Sequence, residues 1–110
     1  MIVYKIVPAP VWRASEASGA FTGSAVDVRD GFIHFSTAEQ LRETAARHFA
    51  GVENLLLVAV SADQLEIKWE PARGGALFPH LYTSLPIASV LWVQELPLVD
   101  GAHVIPELSP

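Results

Sequence analysis

The unbroken apolar run Leu55-Leu56-Leu57-Val58-Ala59-Val60 constrains this chain more than any other segment. It has the length of a strand and falls far short of the ~20 apolar residues that a membrane-spanning helix needs. A half-exposed strand alternates apolar with polar side chains, and this one does not. Both of its faces must therefore be covered, which requires a layer of structure on each side. A chain of 110 residues that is 51% hydrophobic and only 17% charged has the material for those layers. It is expected to form one domain over 1–110 rather than a disordered segment.

The remaining pattern predicts an α+β domain with a mostly antiparallel sheet and one main helix. Ile2 to Val7 is rich in β-branched residues and stops at Pro8 and Pro10, as a first strand would. Ala14 to Asp30 is small and polar, with Gly19 and Gly23, and is expected to be a loop with one irregular turn around Trp12 to Ala17. Gly31 to Phe35 forms a short strand. Ser36-Thr37-Ala38-Glu39 then has the S-x-x-E form of a capping box, with Ser36 at the helix N-cap. The helix runs to about Phe49, ends at Gly51, and places Ala38, Leu41, Ala45 and Phe49 on one face. Leu65 to Trp69 alternates as a half-exposed strand, Pro71 to Gly75 is a mobile loop, and Ala88 to Leu96 is a last strand before a loop-like tail.

Charge and cysteine content narrow the function classes. Twelve acids against seven bases leave a net charge of −5, which disfavours nucleic acid as a partner. With no cysteine, disulfides, thiol nucleophiles and thiolate metal sites are excluded. Met1 to Ile6 lacks the charged n-region of a signal peptide, so a cytoplasmic location without membrane attachment is expected. The oligomeric state is not legible.

The groups suited to chemistry lie at two similar places. His34-Phe35-Ser36 and His80-Leu81-Tyr82 each set a histidine two residues before a hydroxyl, and in a strand such residues share a face. Two uses fit His34: a core histidine bonded to a backbone carbonyl, or a pocket donor and general acid–base. Ser36 is assigned to the helix cap first, and an anion at the helix N-terminus is compatible with that use. Glu70 lies at a strand end beside a loop, where either a solvated acid or a catalytic carboxylate is at home. Arg73, next to Gly74 and Gly75, is either solvated or a clamp for a carboxylate or phosphate. His80 and Tyr82 sit between Pro79 and Pro86, whose rings stiffen the backbone. Trp12, Trp69, Phe78 and Tyr82 are candidate pocket walls. His34, His48 and His80 have no metal-motif spacing, and no metal is expected.

Three blocks together resemble a known bacterial family. They are Asp-Gly-Phe-Ile-His-Phe-Ser-Thr-Ala-Glu-Gln at 30–40, Thr-Ala-Ala-Arg-His-Phe at 44–49, and Phe-Pro-His-Leu-Tyr at 78–82 with Leu-Pro at 85–86. The family is domain of unknown function 952, and the match spans nearly the whole chain. His34-Phe35-Ser36, Thr44-Ala45, Arg47-His48-Phe49 and the 55–60 strand also resemble, more distantly, the RNA 2′-phosphotransferases of the ADP-ribosyltransferase fold. That resemblance implies a split antiparallel sheet gripping NAD, with His34 on the ribose or nicotinamide side and Tyr4-Lys5 on the first strand facing the cofactor. Ser36, Arg73, His80 and Tyr82 would complete the cofactor site, with His34 and Glu70 catalytic. The chain is acidic where those transferases are basic, and neither Glu70 nor Glu95 sits in a matching motif. A non-catalytic small-molecule or peptide-binding module, or a structural domain, is compatible with the same residues.

Overall fold

The computed structural model describes residues 1–109, except for the side chain of Arg73. The apolar run becomes strand β4 (Leu55–Ser61), with every residue from Leu55 to Val60 buried. It lies between β1 (Ile2–Pro8) and β8 (Val90–Leu96) in an antiparallel sheet. Its two faces serve two cores. Leu56, Val58 and Val60 join Val3, Val7, Trp12, Phe21 and Leu81 on one side. Leu57, Ala59, Tyr4, Ile6 and Leu96 join Leu41 and Ala45 on the other. Each fully buried Leu or Val stabilises the fold by about 1.5–3 kcal/mol, so both layers are required by the chemistry of the strand.

The second core is closed by helix α3 (Ala38–His48), whose buried face is Leu41 and Ala45, with Ala38 and Phe49 packed beside them. Its N-cap is Thr37, not Ser36. The Thr37 hydroxyl accepts the Gln40 N–H at 3.2 Å, and the Gln40 side chain accepts the Thr37 N–H at 3.0 Å. Thr37-x-x-Gln40 is itself a capping box, one residue out of step with the serine box. Ser36 is unavailable because its backbone is still extended. It exchanges two 2.8 Å hydrogen bonds with Tyr4 of β1.

The segment expected to be a loop is instead α1 (Ala9–Ser18), the short strand β2 (Ala20–Phe21) and α2 (Ala25–Asp30). Pro10 sits in the first turn of α1, where a missing N–H costs nothing, and Gly19 (φ 92°) closes the helix in the left-handed region. Trp12 is fully buried against Phe21, ring centroids 5.5 Å apart. It is a core residue and not a pocket wall. Helix α2 opens at Ser24, whose N–H and hydroxyl both donate to Asp27 Oδ2 at 2.8 and 2.9 Å.

A second antiparallel sheet has the order β3 (Ile33–His34), β6 (Leu77–Leu81), β5 (Ile67–Pro71). Strand β5 therefore begins later than Leu65 and extends through Pro71, which an edge strand tolerates. After it the chain turns, with the Gly75 N–H donating to Ala72 O at 2.9 Å and Gly74 (φ 65°) and Gly75 (φ 82°) in the left-handed region. Strand β2 pairs with β7 (Leu85–Pro86). The tail is not all loop, because β9 (Leu98–Val99) and β10 (Ala102–His103) form a hairpin about Asp100-Gly101, both in the left-handed region. No helix among the described residues is long and apolar enough to cross a membrane.

Candidate functional site

The Tyr4–Ser36 backbone bridge joins the edge of the first sheet to the end of β3. At that junction a cavity of about 380 Å³ opens. Strand β1 contributes Tyr4 and Lys5 to its wall, α2 contributes Arg29 and Asp30, β3 and its extension contribute His34 and Ser36, α3 contributes Thr44 and His48, and β6 contributes Phe78 and His80.

The sheet register sets the two histidines side by side. His34 pairs with His80, and His80 pairs with Lys68 of β5. Directly paired residues point to the same face, as do residues two apart along a strand. Phe32, His34, Phe78, His80, Tyr82, Lys68 and Glu70 thus share one face, and Ile33, Leu81 and Pro79 point the other way. The imidazoles meet edge-on with centroids 5.5 Å apart. Phe32 stacks on His80 at 4.1 Å and touches His34 and Tyr82 at 4.5 and 5.2 Å, closing the row on the side away from the cavity.

Each histidine is oriented through Nδ1 by a carboxylate. His34 Nδ1 lies 2.6 Å from Asp27 Oδ1, and His34 N–H donates to the same oxygen at 3.1 Å. His80 Nδ1 lies 2.8 Å from Glu70 Oε1, which also accepts the Tyr82 hydroxyl at 2.7 Å. Fixing Nδ1 this way sets the direction of Nε2, which in His34 lies 3.0 Å from Asp30 Oδ2.

Asp27 is the hub. It is 2% exposed, and Lys5 Nζ lies 2.8 Å from its carboxylate. Burial pushes the Asp27 carboxyl up, but the hydrogen bond from His34 and the charge of Lys5 outweigh it and hold the group well below the usual carboxylate range. Burial pulls Lys5 down, and Asp27 partly restores it. Glu70 is held below its ordinary value by the hydrogen bonds from Tyr82 and His80, and Tyr82 is raised by its bond to Glu70.

Tyr4, Lys5, His34, Ser36 and His80 therefore line one cavity. Glu70 and Tyr82 do not line it. Glu70 reaches it through His80, and Tyr82 lies against Phe32 in a separate depression. The Arg73 side chain lies outside the described residues. Tyr4 is committed elsewhere, its hydroxyl donating to Ser109 O in the tail. Freed from the cap, the buried Ser36 hydroxyl lies 2.8 Å from Thr44 Oγ1. Asp27, Asp30 and Phe32 were absent from the sequence-derived site. The first had a signal: Ser24-Ala25-Val26-Asp27 followed by Gly31 is a capping box with a C-terminal glycine stop.

Residues 6–93 match the family described as protein of unknown function (DUF952). The crystal structure of protein CC0527 from Caulobacter crescentus is similar over 94% of both chains, at 48% identity and a TM-score of 0.91. Its solution structure is similar over 93% of this chain and 90% of that one, at 48% identity and a TM-score of 0.83. No curated protein matches the chain.

Proposed function

Because this chain belongs to the DUF952 family, whose description assigns no activity, we propose from the site itself that it binds a ribose- or phosphate-bearing small molecule of the NAD and ADP-ribose class. One observation carries this reading. Two imidazoles, each oriented through Nδ1 by a carboxylate, line a single cavity at the junction of two sheets. Such a pair can give a proton at one point of a ligand and take one at another. The split between two antiparallel sheets supports an ADP-ribosyltransferase-like arrangement, with Tyr4 and Lys5 on the strand that borders the cavity. In this reading His34 orients the ribose and Glu70 acts through His80. About 380 Å³ is near the small end of the range for small-molecule sites, so it suits one half of a dinucleotide better than the whole.

The test is an NMR titration with NAD, ADP-ribose and nicotinamide, run on the wild type and on His34→Ala. Saturable shifts clustered at His34, His80 and Ser36, and lost in the variant, are expected. Absence of any saturable shift at millimolar ligand would sink the proposal. A non-catalytic binding module is the second reading, favoured by Glu70 and Tyr82 being bonded to each other outside the cavity. Binding of NAD without release of nicotinamide would decide for it.

A further inference from the structure

Both ring nitrogens of His34 lie against carboxylates. Nδ1 faces buried Asp27 at 2.6 Å, and Nε2 faces Asp30 Oδ2 at 3.0 Å. Asp30 is held from its other side by Arg29, with Nε 2.9 Å from Oδ1 and a terminal nitrogen 3.4 Å from Oδ2. Two nitrogen-bearing side chains thus close on one carboxylate, and Arg29, Asp30 and His34 all line the cavity. The two carboxylates differ in permanence. Asp27 is buried and also held by Lys5 and Ser24. Asp30 has a side chain that is 32% exposed, on the last residue of α2, where the helix dipole disfavours negative charge.

We propose that His34 and Arg29 form an oxyanion subsite that Asp30 occupies in the absence of ligand, and that the phosphate group of a ligand binds by displacing the Asp30 carboxylate. This deepens the function proposed above and rests on the same cavity. A phosphate oxygen can take the place of Asp30 Oδ2 on His34 Nε2, and the flat guanidinium of Arg29 matches two phosphate oxygens as it now matches two carboxylate oxygens. Asp27 stays in place and keeps the imidazole aimed.

The test is titration of the full chain with inorganic phosphate, ADP-ribose and, as an uncharged control, ribose, followed at the His34 ring nitrogens and Arg29 Nε. Asp30→Asn removes the internal competitor and is expected to tighten phosphate binding by about fivefold, the equivalent of one exposed ion pair. Glu43→Gln, which loses one negative charge on α3 away from the cavity, should leave binding unchanged. ADP-ribose that gains with phosphate would identify a phosphoryl ligand as the source, and a gain for phosphate alone would identify the free ion. The inference is overturned if Asp30→Asn binds phosphate no better than the wild type, if Glu43→Gln gains equally, if ribose gains equally, or if phosphate binds neither protein. Should ADP-ribose bind and depend on His34 while Asp30→Asn changes nothing, the subsite fails and the wider function stands.

Discussion

The two carboxylate–histidine pairs are built inside out with respect to each other. In the Asp27–His34 pair the carboxylate side chain is 1% exposed and the imidazole 33%. In the Glu70–His80 pair the imidazole is 7% exposed and the carboxylate 37%. The first buries its charge and offers its ring; the second buries its ring and leaves its charge at the rim. A buried carboxylate needs full compensation, and Asp27 has it in Lys5, His34 and Ser24. A rim carboxylate is steadied by solvent, so Glu70 needs only His80 and the Tyr82 hydroxyl. The first pair thus has its charge fixed inside the folded core, and the second has its charge held near the surface.

That contrast is open to breakage. Asp27→Asn should have the largest effect, because it leaves the Lys5 ammonium buried without its counter-charge. A loss of about 3–5 kcal/mol in urea unfolding is expected; a loss too small to move the midpoint would put the two pairs on the same footing. Acid comes next. The Asp27 carboxyl is depressed in the folded state, so its contribution is fully present above the unfolded value of about 4 and is lost as pH falls below it. Urea midpoints from pH 7 down to 2 should fall more steeply in the wild type than in Asp27→Asn, and parallel curves would refute this. Glu70→Gln should have the smallest effect, shifting the His80 and Tyr82 resonances while leaving stability and the His34 signals nearly unchanged. Coupled movement of His34 would show that the pairs act as one unit.

Much of the fold was legible because it depends on local rules. The two-sided burial of Leu55 to Val60 follows from its missing alternation, and the apolar face of α3 from its spacing. The segment 14–30 misled because small polar residues hide helix signals. Pro10, Gly19, Ser24 with Asp27, and Gly31 mark two short helices, each too short to show a full apolar stripe. Ser36 misled because two capping boxes overlap, and only the Tyr4 bridge, made across 32 positions of chain, rules out the first. Asp100-Gly101 marks a hairpin that the surrounding prolines of the tail hide.

The site divides the same way. That His34 and Ser36, or His80 and Tyr82, share a face is a property of any strand, and so the polar ribs, the central strand and the main helix follow from the residue pattern alone. Which rib lies against which, and which acid serves which histidine, follows from pairing between segments far apart in the chain. Asp27 reaches His34 across a turn, Lys5 reaches Asp27 from another sheet, and Glu70 reaches His80 from a neighbouring strand. Such contacts depend on register and helix placement, which are set by burial of the whole core. The charge and orientation of the candidate groups were therefore decided only by the tertiary structure.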